Sequence, residues 1–428
     1  MEGRKHYLIL LLIVSLSLAL AGTAGAHVDF QCPTQPGGSV TGDLNGDGML
    51  RASDGEINLP LSPNQVCMHL TAGDGFSVMA DGTPMYMFGF HNVTGLPDNE
   101  VMNAGMLAQE WPAPTIQLNE GEELYLTLTN VGMVIRPDLF DPHTVHYHGF
   151  PQSSNIFDGL PESAIAIGMG ASLTYYYLNN HPGTYMYHCH VEATEHMQMG
   201  MLGNLYVRPA QNGTPILYNG RTYTTFVYND GDGSTGYDVE YPLQLGGFDR
   251  TFHDASWNVQ PLPFANMRDV YPMINGRGYP DTVNTGPMPQ PLDPDTLEDL
   301  NGSAESQPVH SFVEANQGQR ILLRVSNLNV TRLHTLASPS IPMLIVGKDA
   351  KHLRSSVTGE NLYYLASSIT LGGGESFDVI LDTNGLDGIQ GTADDVPAGT
   401  YFLYTTNLNL LSNDQEDFGG MMTEIRIY

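Results

Sequence analysis

Two short segments of the chain concentrate the residue types that bind transition metals. Residues 143–149 read HTVHYHG, and residues 188–190 read HCH. A histidine at position 196 and a methionine at position 201 follow the second segment. Side chains alternate between the two faces of a strand, so Cys189 would point away from the histidines on either side of it. The two segments therefore predict two adjacent metal sites, one around a thiol and one built from imidazoles alone.

A thiolate, two imidazoles and a weak thioether are the ligand set of a blue copper electron-transfer site. Zinc is the alternative ion for a cluster of cysteine and histidine. The combined pattern favours copper, because its elements are too many and too regularly spaced to coincide by accident. The predicted ligands of the thiol site are His143, Cys189, His196 and Met201. The predicted nitrogen-only site on the opposite face consists of His146, His148, His188 and His190.

At these residues, and over about residues 65–428, the chain resembles the multicopper oxidases. The motifs that carry the resemblance are HxxHxHG and HCHxxxHxxxxM. The resemblance implies that the thiol site is a type 1 copper site, that His146 binds a type 2 copper, and that the type 3 pair is bound by His148, His188 and His190. Five residues separate His190 from His196, where the family commonly has three. We interpret the two additional residues as a bulge in the ligand loop.

Alternating apolar runs separated by Gly, Asn and Pro turns predict an all-β chain. Residues 120–130 match residues 316–327 in pattern, and residues 183–190 match residues 399–406, so one β-sandwich is present twice. With the resemblance, the expected fold is two tandem cupredoxin-like Greek-key sandwiches with a short N-terminal calcium-loop extension. The predicted divisions are a signal peptide (1–26), the extension (27–64), a copper-binding domain (65–210) and a second domain lacking copper ligands (211–428). A Pro-rich stretch, residues 279–308, reads as a long loop.

The second copy does not repeat the metal-binding residues. Tyr404-Thr405-Thr406 stands where the first copy has its HCH segment, and only His334 and Met421 remain at type 1 positions. Copper nitrite reductases are more distantly similar. They take a type 2 ligand at the position of Thr406 and an acidic catalytic residue at the position of His146, and both departures argue against nitrite reduction.

Three functions remain open. In the first, the protein is an oxidase whose copper cluster is completed between subunits of a homo-oligomer, with four histidines from each of two chains. In the second, it is a type 1 electron-transfer or copper-binding protein without oxidase activity. In the third, it is a reductase-type enzyme with an atypical second copper site.

The family mechanism implies that a reductant gives single electrons to the type 1 site near an exposed edge of His196. Electrons would then pass from Cys189 through His188 and His190 to dioxygen. Expected reductants are a small molecule, a metal ion or a redox protein.

The charge balance and the N-terminus restrict partners and compartment. The chain has 46 acidic and 16 basic side chains, a formal net charge of −30, which disfavours nucleic-acid binding. A basic start, an apolar run of about 14 residues and small residues up to Ala26 predict a secretory signal peptide. The alternative is a membrane anchor, but the run is shorter than the roughly 20 residues that span a bilayer. We therefore expect a secreted or periplasmic protein with no membrane span after cleavage.

An Asp-rich segment follows the predicted cleavage site. Its spacing of oxygen ligands and glycine is typical of a calcium loop and resembles dockerin-type repeats, while a solvated acidic turn is the alternative. A looser pattern at residues 382–395 leaves calcium and a plain acidic loop equally open. Cys32 and Cys67 flank the segment and are predicted to form a disulfide. The predicted calcium ligands are Asp43, Asn45, Asp47 and Asp54.

Overall fold

The structure, a computed structural model, describes residues 28–151 and 154–428. The predicted signal peptide, residues 1–26, lies outside these ranges. Within them, no helix combines the length and the apolar character needed to cross a bilayer.

The first half of the chain forms a β-sandwich preceded by an extension. Strands β2, β4, β7 and β9, with β5 alongside β4, make one sheet, and β6, β11, β10 and β8 make the facing sheet. The bounds are β1 (Thr34–Val40), β2 (Leu50–Arg51), β3 (Ile57–Pro60), β4 (Gln65–Val78), β5 (Pro84–Asn92), α1 (Asp98–Gly105), β6 (Ala113–Asn119), β7 (Glu122–Gly132), β8 (His146–His148), a 3-10 helix (Asn155–Phe157), β9 (Ser172–Asn179), β10 (Gly183–His188), α2 (Ala193–Gln198) and β11 (Leu202–Arg208).

The second half repeats this architecture. One sheet contains β15, β14, β17, β23, β19 and β20, with β21 beside β19, and the other contains β16, β25, β24, β18 and β22. The bounds are β12 (Ile216–Tyr218), β13 (Arg221–Tyr223), β14 (Val239–Phe248), α3 (Arg250–Trp257), β15 (Tyr271–Ile274), β16 (Val313–Ala315), β17 (Arg320–Asn327), β18 (His334–Ala337), β19 (Met343–Lys348), β20 (Lys351–His352), β21 (Tyr364–Ala366), β22 (Ser368–Leu371), β23 (Glu375–Asp382), β24 (Gly399–Thr405), β25 (Met422–Ile427) and 3-10 helices at Phe264–Asn266, Asp281–Val283 and Leu408–Leu410.

Each sandwich has its own apolar core, and the strand alternation explains it. On β7, Leu124, Leu126 and Leu128 point inward and are fully buried, and the inward side chains of the repeated strand β17 are equally buried. The all-β prediction of two cupredoxin-like sandwiches is confirmed. The predicted domain limits remain predictions.

A buried charged cluster joins the two sandwiches where β10 lies across β17 and β23. The guanidinium of Arg324 pairs with Glu240 at 2.9 Å and with Asp378 at 3.4 Å, and both Arg324 and Asp378 are fully buried. Asp378 also accepts hydrogen bonds from the hydroxyls of Thr184, at 2.5 Å, and Tyr228, at 2.6 Å. Because Thr184 lies on β10 of the first sandwich, satisfying the Arg324–Asp378 pair fixes how the sandwiches meet.

The Pro-rich segment, predicted as a long loop, runs from the second sandwich along the edge of β4. The side-chain amide of Asn301 accepts from the N–H of Phe76 at 2.9 Å and donates to its carbonyl oxygen at 2.6 Å. Gln307 accepts from the N–H of Val78 at 3.2 Å. These side chains satisfy backbone groups that an uncovered strand edge would leave unpaired.

We expect Asp378→Asn to lower the free energy of unfolding by about 3 kcal/mol, because it removes one partner of a fully buried cation. Urea unfolding followed by far-UV circular dichroism measures the change. In the control, Arg250→Gln, the arginine is about one third exposed and pairs with Asp254 and Asp414, so a change of less than about 1 kcal/mol is expected. Equal losses in both variants would contradict the anchoring role of the buried cluster.

Candidate metal centre

The ligand loop, residues 189–201, connects β10 to β11 and is closed by its own backbone. The N–H of Cys189 donates to the carbonyl oxygen of Met201 at 3.1 Å, and the N–H of Met201 donates to that of His196 at 2.9 Å. Between them the chain turns at Glu192, whose φ of 44° is in the left-handed region, and then forms α2. The interpretation of the two additional residues as a bulge stays a prediction.

Three donor side chains converge around this loop. The Sγ of Cys189 lies 3.2 Å from Nδ1 of His196 and 3.8 Å from Nδ1 of His143. All three are buried, as is Met201. In the described part of the chain, the Nε2 atoms of both histidines have no hydrogen-bond partner. Sulfur and nitrogen donors that face one another at these distances fit a transition-metal ion such as copper.

Burial controls the protonation of this cluster. It raises the pKa of the Cys189 thiol to about 11 and lowers the pKa of His196 to about 4. Burial, followed by the charge of His196, also lowers the pKa of His143 well below its usual value. The protein surroundings alone therefore favour neutral groups. A bound cation would favour the thiolate, which is the form that ligates metals.

On the other side of Cys189, His146, His148 and His188 bring their ring nitrogens together, and the ring of His190 lies beside this second cluster. The ring of His146 lies 5.2 Å from that of His188 and 5.1 Å from that of His190, measured between centroids, and His148 lies 5.6 Å from His188. All four line a cavity of about 500 Å³. Imidazoles grouped around a cavity, with no carboxylate among the described residues that line it, suit a nitrogen-ligated transition metal.

Backbone carbonyls determine which ring nitrogens are available for a metal. Nδ1 of His146 lies 2.6 Å from the carbonyl oxygen of Asp158, and Nδ1 of His188 lies 2.8 Å from that of Cys189. Carbonyl oxygens only accept, so both Nδ1 atoms donate and both Nε2 atoms keep a lone pair. The Nε2 of His188 is 3.4 Å from Nδ1 of His148, close enough for both rings to serve one site.

The second sandwich contributes a wall to the cavity, and none of the described residues in that wall is a histidine. Its lining residues come from 328–330 and 373–374. A Cβ added at Gly374 would lie 2.5 Å from Nε2 of His148, so a side chain at this position would crowd the histidine face. The wall leaves one side of the histidine cluster open and supplies it with no further imidazole.

The backbone of the second sandwich repeats the ligand loop with other residues. Thr405 donates its N–H to the carbonyl oxygen of Met421 at 3.1 Å, as Cys189 does to Met201. Met421 in turn donates to Leu410 at 2.8 Å. Thr405 therefore stands at the cysteine position and Leu410 at the position of His196. The alignment read from the sequence agrees with this geometry.

His196 is shielded from solvent. The sequence predicted an exposed edge, but its side chain is fully buried. The carboxylate of Asp141 lies 3.9 Å from its Nε2 and is about one fifth exposed, so Asp141 stands between the ring and solvent. α3 supports the loop from the other sandwich, because His253 lies 2.9 Å from the carbonyl oxygen of Gln198. Sequence reasoning missed Asp141 and Asp158, although Asp141 directly precedes Pro142 and His143.

The N-terminal extension lies against the first sandwich. Cys32 and Cys67 are joined by a disulfide, and Phe30 stacks on His69 with centroids 5.1 Å apart. Cys189 is the free cysteine in the described residues.

The predicted calcium loop is held by its own hydrogen bonds and by Arg51. Asp43 accepts from the N–H groups of Gly46 and Gly48, and Asn45 donates to Asp54 at 2.8 Å. The guanidinium of Arg51 binds Asp47. Among the described residues, the donor atoms of the thiol cluster and of the histidine cluster lie close enough together to bind a metal ion. The carboxylates of Asp43, Asp47 and Asp54 do not form such a group. Calcium binding here stays a prediction.

Comparisons with known proteins agree with the copper motifs. Residues 91–212 match the family model described as "Multicopper oxidase". An L-ascorbate oxidase of Cucurbita maxima is 24% identical over 72% of this chain and 48% of its own length. Laccase-1 of Thanatephorus cucumeris is 27% identical over 54% of this chain and 34% of its own. The chain thus spans a third to a half of the length of these relatives.

Solved structures share the fold. A blue copper oxidase from Nitrosomonas europaea superposes with a TM-score of 0.57 at 21% identity, covering 85% of this chain and 86% of that one. A copper nitrite reductase from the same organism gives 0.52 at 16% identity, covering 85% and 94%. At these identities, the similarity concerns the fold alone.

We expect Cys189→Ser to abolish an intense blue absorption of the copper-loaded protein, because the band requires a thiolate ligand. Visible absorption and bound copper per chain are measured on wild type and variant. Cys32→Ser with Cys67→Ser, which removes the other two cysteines, is the matched control and should keep the band. A band that survives Cys189→Ser would show that this thiol is not a ligand.

Proposed function

Because residues 91–212 match the multicopper oxidase model, we propose that the protein is an exported, copper-dependent oxidoreductase. It takes single electrons from a reductant at the thiol site and reduces dioxygen at the histidine site. The observation that supports the proposal is that Cys189 belongs to one donor cluster, while its neighbour His188 belongs to the other and His190 lines the same cavity.

The residues divide the work between the two sites. At the thiol site the proposed copper ligands are His143, Cys189, His196 and Met201. At the histidine site they are His146, His148, His188 and His190. Copper, when bound, supplies one-electron redox chemistry at both sites. The His188–Cys189–His190 backbone is the shortest covalent connection between them, and the hydrogen bond from Nδ1 of His188 to the Cys189 carbonyl adds a second link.

We propose that Asp158 orients His146 and connects the histidine site with solvent. Its carbonyl oxygen holds Nδ1 of His146, and its carboxylate Oδ1 lies 3.4 Å from the same atom. The carboxylate is about one quarter exposed, so Asp158 connects the histidine site with solvent, the source of the protons consumed when dioxygen is reduced to water.

The second sandwich contributes no histidine among the described residues of the cavity wall, so further imidazoles would have to come from another chain. In a two-copy assembly, the four histidines of one chain would face the four of another, giving eight. The open side of the cavity leaves room for this arrangement. The second candidate, a copper electron-transfer protein without oxidase activity, is favoured by the same wall, because one chain by itself offers four imidazoles.

We expect His146→Ala to abolish oxygen uptake with a phenolic reductant and to leave the blue band unchanged, because the residue belongs only to the histidine site. Oxygen electrode traces, visible absorption, copper content and oligomeric mass are measured together on wild type and variant. Loss of the blue band would contradict the division into two sites. One copper per chain in a monomeric wild type that consumes no oxygen would exclude the oxidase and favour the second candidate.

Electrons are proposed to enter past Asp141, which covers His196. Burial raises the pKa of Asp141, and the charge of Glu192 raises it further. Glu195 has a pKa raised to about 7 by burial and then by the charges of Glu192 and Asp141. These three carboxylates repel one another, and a nearby cation would relieve that repulsion, so the entrance suits a cationic reductant such as a divalent metal ion.

We expect Asp141→Asn to raise the KM for a cationic reductant about fivefold, the factor that corresponds to about 1 kcal/mol for one charge at about 4 Å in water. The KM for a neutral phenol should change little. Steady-state oxygen uptake with both reductants measures the effect, with the exposed, distant Glu360→Gln as a control. An equal change for both reductants would mean that Asp141 acts through shape and not through charge.

A further inference from the structure

The second sandwich has buried side chains at the place that the thiol site occupies in the first. Thr405, Leu410 and Met421 stand at the positions of Cys189, His196 and Met201, as the matching backbone hydrogen bonds show. β18 pairs with β22 at His334 and Leu371, in the way that His143 pairs with Ile167. The four positions of a copper-binding scaffold are therefore present in both sandwiches.

Two of these four positions in the second sandwich carry metal-binding side chains. His334 and Met421 are both fully buried. Neither ring nitrogen of His334 has a hydrogen-bond partner in the described part of the chain, although buried polar groups are nearly always paired. An imidazole kept in a core without a partner has an unused lone pair.

The other two positions limit which ion would fit. Thr405 replaces the thiolate with a hydroxyl, whose oxygen accepts the N–H of Asn407 at 3.2 Å. Leu410 replaces the second imidazole with an apolar side chain that is 4% exposed. The donors are thus one imidazole and one thioether, both uncharged, with a weak oxygen beside them. Soft thioether ligands and low coordination numbers suit monovalent d¹⁰ ions, and the missing thiolate excludes a blue copper(II) site.

We propose that His334 and Met421 form a binding site for one soft monovalent ion, copper(I) or silver(I), in the second sandwich. This departs from the expectation that the second domain lacks copper ligands. A polar cavity of about 410 Å³ is lined by Leu410 and Arg332, among others, so it reaches the position that corresponds to His196 in the first sandwich. The site is separate from the two clusters of the first sandwich and does not depend on oxidase activity.

Silver(I) tests the site, because it is soft, monovalent and redox-inert. The full copper-loaded chain is incubated with silver(I), passed through a desalting column and analysed for silver and copper by mass spectrometry. Wild type is expected to retain one more silver ion per chain than His334→Leu or Met421→Leu. Met343→Leu, which changes another fully buried methionine of the same core, should retain the same number as wild type.

Thermal unfolding with and without silver(I) provides the second measurement. Silver should raise the Tm of wild type and of Met343→Leu, and should leave that of His334→Leu unchanged. Should His334→Leu fail to fold, Met421→Leu carries the comparison. Equal silver content in wild type and in the folded variants, with equal shifts in Tm, would overturn the proposal and leave His334 as a structural residue.

Discussion

The change of side-chain direction at the end of β10 is the constraint on which the rest of the metal centre depends. On a strand, neighbouring side chains must point to opposite faces. The thiol of Cys189 therefore enters the core of the first sandwich, and His188 and His190 turn towards the cavity between the sandwiches. Two donor clusters, one residue apart along the backbone, follow from this geometry.

The two clusters need different surroundings, and the fold provides them. The thiol cluster is enclosed by the ligand loop, by Asp141 and by α3 of the other sandwich, so its groups are desolvated. The histidine cluster lies at a boundary between sandwiches, where a wall from the second sandwich covers one side and leaves the other open. The buried cluster of Arg324, Asp378 and Thr184 fixes that boundary, because each of these groups is costly to bury without the others.

The repeat shows that the backbone of a copper-binding loop can form without the copper ligands. Backbone hydrogen bonds between Thr405, Met421 and Leu410 reproduce those of the ligand loop, although two of these three positions have different side chains. Backbone geometry depends on strand pairing and loop closure, which tolerate many side chains. Metal binding depends on single donor atoms. The second sandwich, with Thr405 at the cysteine position and Leu410 at the histidine position, therefore has the same fold without the ligands of a blue copper site.

The sequence by itself determined the all-β fold, the repeat and the candidate ligands, because strand alternation and motif spacing are local properties that a chain carries in its residue order. It also determined that the second sandwich lacks the HCH segment. Only the tertiary structure decided that the loop after Cys189 contains a helix, that His196 is buried behind Asp141, and that Asp158 holds His146. It alone showed the wall at residues 328–330 and 373–374. Each of these depends on contacts between segments far apart in sequence, whose packing no local pattern records.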